Sequence, residues 1–127
     1  MGGSLVRFGT EEQKRRYLPL LASGEWLSSA CLTEPQGGSD LASIETMAVR
    51  DGASYILSGE KVFISHANHA SLYFVLATVD RSLKHKGVCA FLVERDSPGI
   101  TMRPLAMHTL RRGDTAQVFF DEVRVPA

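Results

Sequence analysis

A long polar loop with two adjacent glycines is the first segment of the sequence that could do chemistry. It runs from Thr33 to Ser43 and reads TEPQGGSDLAS. Gly37 and Gly38 carry no Cβ, so a ligand could approach the backbone closely there. Amides of such a turn can hold an anionic or carbonyl oxygen. An ordinary surface turn explains the same residues, and on this loop alone it is the better explanation, because the spacing of phosphate loops and dinucleotide folds is missing.

A second candidate lies at the end of a predicted strand, where the sequence reads Lys61-Val62-Phe63-Ile64-Ser65. Alternation along a strand places Phe63 and Ser65 on the same face. A flat heteroaromatic cofactor needs both an apolar wall and a hydrogen-bond donor at its edge. The alternative is a strand that gives one aromatic side chain to the core, and the strand by itself favours that alternative.

Two cysteines and two histidines complete the candidates. Cys31 and Cys89 lie far apart, each in an apolar run, which predicts reduced, buried and structural thiols. His66 and His69 have a spacing that can hold a metal on a helix. They follow a strand and have no third ligand nearby in sequence, so we predict no metal site.

These residues must be positioned by a chain that reads as mainly β. Thr10 to Gln13 has the capping-box pattern of a helix start, with Pro19 predicted to interrupt the helix and Ser23-Gly24 to end it. Short β-rich runs then alternate with turn residues, which favours a barrel or sandwich preceded by a short helical segment. The predicted strands are 27–32, 44–50, 55–58, 62–65, 72–79, 88–94, 100–104, 116–120 and 123–125.

Composition narrows the class of protein. The chain has 127 residues, with 14 basic and 14 acidic side chains and a formal net charge of zero. Its basic residues are scattered, unlike those of a nucleic-acid-binding protein. Its apolar runs are shorter than the roughly 20 residues of a membrane span, and residues 1–4 do not read as a secretion signal. We therefore expect a cytoplasmic protein, or a mitochondrial matrix protein in a eukaryote.

Taken together, the loop and the strand end resemble a known family. The string CLTEPQGGSD, from Cys31 to Asp40, closely resembles the acyl-CoA dehydrogenase signature of Thr-Glu-Pro followed by Gly-Ser-Asp. Downstream, Gly59-Glu60-Lys61 leads into the stretch where the family usually has Trp-Ile-Thr. The turn at 97–99 and the ending from Phe120 to Pro126 are also similar to the family, so the resemblance covers nearly the whole chain.

The resemblance implies a domain division and a cofactor, FAD. Residues 1–26 would be the end of a helical N-terminal domain, and residues 27–127 a middle β domain that covers the flavin. Ser39 would also contact the acyl-CoA substrate. Phe63 stands where the family usually has Trp, and Ser65 replaces a Thr whose hydroxyl bonds flavin N5. The residues implied in cofactor binding are Ala30, Cys31, Leu32, Thr33, Gly38, Ser39, Phe63, Ile64 and Ser65.

The activity implied is oxidation of an acyl-CoA thioester to the 2,3-enoyl-CoA. The family's catalytic glutamate belongs to a C-terminal helical domain, so this chain would supply flavin and thioester contacts without the base and would be inactive alone. An electron-transfer flavoprotein would accept the electrons, and the full-length enzyme would be a homo-oligomer. Thr109 stands where the family often has Gly, so no role is carried to Arg111. The alternatives are a flavin-binding relative with oxygen chemistry, such as an acyl-CoA oxidase or hydroxylase, and a truncated non-enzymatic module.

Overall fold

The computed structural model describes residues 2–107 and 114–127, so the prediction around Thr109 and Arg111 lies outside the described residues. Two helices precede seven strands, with short 3-10 segments over Leu41–Ser43 and Arg81–Gly87. The helices are α1 (Gly2–Phe8) and α2 (Glu11–Ser23). The strands are β1 (Ser28–Cys31), β2 (Met47–Asp51), β3 (Ser54–Ser65), β4 (Leu72–Thr78), β5 (Val88–Glu94), β6 (Ile100–Pro104) and β7 (Thr115–Pro126).

Helix α2 begins and ends as predicted. The Gln13 amide donates to the Thr10 hydroxyl at 3.1 Å, the Thr10 amide donates to the Gln13 side chain at 3.0 Å, and Gly24 closes the helix with a φ of 77°. The predicted interruption at Pro19 is wrong, since the helix continues to Ser23. Proline removes one backbone donor, but the buried Tyr17 still anchors this helix in a cluster with Leu72 of the sheet.

Helix α1 was not predicted, because Gly2 and Gly3 disfavour a helix start. It is held by tertiary packing, since Leu5 is buried in the same cluster as Tyr17 and Leu72. Within the described residues, no helix has the length and apolarity required to cross a membrane.

The strands form one curled, half-barrel sheet, which confirms the mainly β prediction. Its order is β1-β4-β2-β3-β7-β6, with β5 on the other edge of β4. β1 runs parallel to the first half of β4, from Ser28 opposite Leu72 to Cys31 opposite Val75, and β2 meets β4 only at Thr78. β1 therefore lies close to the far end of β3, which β2 does not cover.

Two pairs of predicted strands are each one long strand, and the register between these two long strands shifts at two β-bulges. Residues 55–58 and 62–65 belong to β3, and residues 116–120 and 123–125 belong to β7. The β3–β7 register shifts once between Leu57 and Gly59 and again between Lys61 and Ile64. Such bulges bend a strand and increase its twist, so the paired strands curl without ending.

The core combines side chains from several strands, and those of Cys31, Leu57, Tyr73, Val93 and Val118 are fully buried. The prediction for Cys31 is confirmed, but that for Cys89 is wrong, because Cys89 is exposed. Cys89 comes second in β5 and lines an open cleft of about 480 Å³ between α2 and the sheet. Nothing among the described residues covers it there.

Candidate functional site

The segment that leaves β1 crosses the end of β3. The Val62 amide donates to the Thr33 carbonyl at 2.9 Å, and the Ser29 hydroxyl donates to the Ser65 carbonyl at 2.7 Å. The first bond joins the polar loop to the aromatic strand end, and the second joins β1 to the same strand end. The two candidate segments, which are about thirty residues apart in sequence, therefore form one surface.

This surface exposes apolar and hydroxyl side chains side by side. Phe63 is 64% exposed, which is high for a large aromatic side chain. Ala30, Ser39 and Ser65 are also exposed, and Thr33 is half-buried. The exposure of both Phe63 and Ser65, with Ile64 buried between them, agrees with the predicted alternation.

Not every predicted residue offers its side chain. Cys31 and Ile64 are buried at 0% and 2% exposure and face the core. Any contact that they make with a ligand on this surface must use the main chain. Leu32 is half-buried and Gly38 is exposed.

The glycine pair folds the loop tightly onto its own start. A Cβ on Gly38 would lie 3.1 Å from the Thr33 methyl carbon and 3.4 Å from its hydroxyl oxygen. A Cβ on Gly37 would lie 3.1 Å from the Ser43 hydroxyl. Glycine at position 38 thus lets the backbone pack directly on Thr33. Ser39 follows at the exposed rim of this turn.

Two strained residues bracket the end of β3. Phe63 and His66 both have a φ of 58°, which is uncommon for residues other than glycine. Phe63 sits in the second bulge, where Val62 and Phe63 together face one residue of β7. The bulge lets Lys61 and Ile64 both point inward while Phe63 points outward. Strain of this kind concentrates at functional sites.

A buried ion pair lies directly beneath this surface. Lys61 Nζ is 2.6 Å from Glu34 Oε1, and the two side chains are 0% and 3% exposed. The sequence analysis placed Glu34 in the loop but did not identify Lys61 as its partner. A lysine directly before the apolar run Val62-Phe63-Ile64, 27 residues after a loop glutamate, was the available signal.

The Glu34 carboxylate also accepts hydrogen bonds from backbone amides at the far end of the loop. The Glu45 amide donates to Oε2 at 2.7 Å and the Thr46 amide to Oε1 at 3.0 Å, and the Thr46 hydroxyl donates to Oε1 as well. At the near end, the main chains of Glu34 and Gly37 exchange two hydrogen bonds of 2.9 and 3.1 Å. One carboxylate therefore closes the whole loop.

Burial and hydrogen bonding act oppositely on these groups. Burial alone would raise the pKa of Glu34, but the hydrogen bonds from Lys61, Thr46 and two amides outweigh it and lower the pKa to about 2. Burial lowers the pKa of Lys61, against the attraction of Glu34. Burial also raises the pKa of the nearby Cys31 thiol to about 12, opposed by the charge of Lys61.

The two histidines follow the end of β3, and one of them lies near Asp114. His69 Nε2 lies 3.5 Å from an oxygen of Asp114, whose other oxygen accepts a hydrogen bond from Asn68. Among residues 2–107 and 114–127, no three His, Cys, Asp or Glu side chains come together as metal ligands would.

Comparison with protein families decides the relationship. The family profile described as acyl-CoA dehydrogenase, middle domain, matches residues 29–123, and the profile for the N-terminal domain matches residues 1–25. The chain belongs to the acyl-CoA dehydrogenase family. Its homologues are acyl-CoA dehydrogenases, which are oxidoreductases, and its curled sheet is the middle domain of such enzymes.

Three known proteins illustrate the similarity. The human mitochondrial very long-chain specific acyl-CoA dehydrogenase is 44% identical over 97% of this chain and 20% of its own length. A glutaryl-CoA dehydrogenase from Mycobacterium smegmatis, solved in complex with FADH2, is 39% identical over 99% of this chain and 32% of its own, with a TM-score of 0.90. The prolyl acyl carrier protein oxidase AnaB is 40% identical over 98% of this chain and 33% of its own, with a TM-score of 0.95. The chain spans about a third or less of the curated relatives that it matches.

Proposed function

We propose that this chain supplies the flavin-covering and thioester-contacting surface of an FAD-dependent acyl-CoA dehydrogenase. The observation that carries the proposal is the hydrogen bond between Val62 and Thr33, because it makes the loop and the strand end one surface. The family membership and the M. smegmatis relative with FADH2 support FAD as the cofactor. Bound FAD would supply a hydride acceptor for oxidation of an acyl-CoA to its 2,3-enoyl-CoA.

The residues present fit a planar ring with polar edges. Phe63 offers an exposed aromatic wall, and the hydroxyls of Ser65 and Thr33 offer hydrogen-bond donors beside it. The main chains of Cys31 and Ile64 belong to the same surface, together with Ala30, Leu32 and Gly38. Ser39, at the exposed rim, would contact the thioester side of the substrate.

Glu34 is unsuited to remove the α-proton of a substrate. A catalytic base needs a carboxylate that can accept a proton near neutral pH and reach the substrate. Glu34 is 4% exposed, is paired with Lys61, and has a pKa of about 2. Glu34 is therefore not proposed as the catalytic base. The proposal includes an electron-transfer flavoprotein as electron acceptor, a homo-oligomer at full length, and a cytoplasmic or mitochondrial matrix location.

A chimera tests the proposal directly. Residues 1–127 would replace the matching segment of the M. smegmatis glutaryl-CoA dehydrogenase, which provides the remaining two thirds of an enzyme. We expect a yellow protein with one FAD per chain whose absorbance is bleached by glutaryl-CoA. A chimera that folds but stays colourless would contradict the proposal.

Matched substitutions in the chimera locate the contact. Phe63→Ala removes the 64% exposed ring and should weaken FAD binding by about tenfold, a loss of about 1.4 kcal/mol. Val49→Ala is the control, because Val49 is also apolar and 58% exposed but lies on β2. Equal effects of the two substitutions would argue against a flavin contact at Phe63.

The free 127-residue chain should bind FAD weakly and show no dehydrogenase activity. It presents one wall of the proposed cofactor site, and exposed apolar side chains such as Phe63 are typical of surfaces that bind another protein or a ligand. Titration of FAD into the purified chain, followed by flavin absorbance, checks this expectation. Tight binding of one FAD per chain would contradict this expectation, because it would show that this chain alone is sufficient to bind the cofactor.

The second candidate is oxygen chemistry on the same fold, which the similarity to the oxidase AnaB favours. In that case the electrons would pass to O2 rather than to a protein acceptor. Oxygen consumption by the full-length protein with acyl-CoA, compared with turnover on an external acceptor, separates the two functions.

A further inference from the structure

We propose that the buried Glu34–Lys61 ion pair is a positioning device that fixes the flavin-facing loop on the bulged end of β3. This inference rests on the proposed function, since it assigns the pair a role in that surface. Neither side chain reaches the surface, at 3% exposure for Glu34 and 0% for Lys61. The pair would therefore act through the backbone that it holds.

Lys61 fixes the loop on both sides of Thr33. Its Nζ lies 2.6 Å from Glu34 Oε1 and 3.3 Å from the Leu32 carbonyl oxygen. The next residue, Val62, donates its amide to the Thr33 carbonyl at 2.9 Å. Leu32, Thr33 and Glu34 are thus tied to Lys61, which precedes the bulge, and to Val62, which shares the bulge with Phe63.

Glu34 extends this control to the rest of the loop. Its two oxygens accept from the amides of Glu45 and Thr46, eleven and twelve residues further along the chain. Gly38 and Ser39 lie between these anchor points, and Gly38 packs on Thr33. The contacts of Glu34 therefore hold the loop on both sides of the glycine turn.

The energetics of buried charge favour specificity over stability as the role. Taking two charges out of water is expensive, and replacing a buried pair by neutral residues of similar volume is often neutral or stabilising. Removing one partner alone is strongly destabilising, because it leaves a buried charge without an opposite charge beside it. A double substitution therefore separates positioning from stability.

The informative variant is Glu34→Gln with Lys61→Met, which removes both charges and leaves side chains of similar length. The Gln side chain has one acceptor oxygen where Glu has two, and Met cannot donate to Leu32. The control is Asp51→Asn with Arg124→Met, which removes an ion pair whose side chains are 58% and 59% exposed. That pair joins β2 to β7, away from the loop.

The free chain gives the first measurement. We expect the double variant to unfold within a few degrees of the wild type, while each single variant unfolds at a clearly lower temperature. Amide hydrogen exchange at Val62 and Thr46 should accelerate by about tenfold or more in the double variant, and stay unchanged in the control. If the double variant is as unstable as the single variants, the pair is merely structural and the inference fails.

The chimera gives the flavin measurement. The double variant should weaken FAD binding by about tenfold or more and alter the visible flavin spectrum, whereas the control variant should change neither. Unchanged FAD binding and an unchanged spectrum in the double variant would overturn the inference and leave the proposed function standing. A colourless wild-type chimera would instead defeat the proposed function, and the exchange rates in the free chain would still decide whether the pair positions the loop.

Discussion

Gly59 stands where β3 passes closest to Thr46, and replacing it with alanine should destabilise the fold severely. A Cβ on Gly59 would lie 2.6 Å from the Thr46 hydroxyl oxygen and 2.7 Å from its Cα. The second atom belongs to the backbone, so no side-chain rotation relieves the overlap. Gly59 also has a φ of 151°, which L-residues with side chains rarely adopt.

The expected cost follows from these two terms. Forcing extra volume into a packed site costs about 1–3 kcal/mol, and a positive φ costs a non-glycine residue about 1 kcal/mol. The sum for Gly59→Ala is about 3 kcal/mol. For a domain of this size, that corresponds to a fall in Tm of about 10–15 °C. The displaced Thr46 also donates to Glu34, so the loop should loosen too.

Gly52→Ala is the matched control. Gly52 also has a positive φ, 61°, but a Cβ there would meet nothing within 4 Å. It should lose only the conformational term, about 1 kcal/mol. Thermal and urea denaturation followed by circular dichroism would measure both variants. If Gly59→Ala is no less stable than Gly52→Ala, the steric reasoning is refuted.

Two further predictions concern titration and thiol chemistry. The pKa of Glu34 falls from 4.5 to about 2 on folding, so the stability that its charge contributes should be complete above about pH 4.5 and disappear towards pH 2. Urea midpoints at successively lower pH should show this loss, and Glu34→Gln should remove that part of the pH dependence. A thiol reagent should modify Cys89 rapidly and Cys31 only on unfolding, because Cys31 is 0% exposed with a pKa of about 12. Two equally fast thiols in the native protein, or a fast phase that survives Cys89→Ser, would contradict the assignment.

The sequence was most informative where local chemistry decides the structure. The capping box at Thr10, the helix end at Gly24 and the limits of β5 and β6 follow from short-range patterns and are confirmed. The predicted break between residues 58 and 62 is wrong. Residues such as Gly59 occur both in turns and in β-bulges, so the sequence alone does not distinguish the two. Only the pairing with β7 shows that the strand continues.

The candidate surface likewise has features that the sequence predicts and features that depend on distant strand pairing. Phe63 and Ser65 could be placed on one face by alternation, and both are exposed. The burial of Lys61 could not be predicted, because strict alternation would put it on the same face as Phe63. The bulge between Lys61 and Ile64 separates them, and that bulge depends on β7, more than fifty residues further along the chain. The cofactor contacts of these residues remain predictions.

The parallel pairing of β1 with β4 has a consequence for the order of folding. The hairpin of β2 with β3 closes a two-residue turn, whereas Ser28 must find Leu72 across more than forty residues. Closing a long chain segment costs more entropy than closing a short one, so distant pairings tend to form late. We expect the hairpins to assemble first and β1 to insert afterwards. A nascent chain would then acquire most of its sheet before it acquires the surface that we propose to contact the flavin.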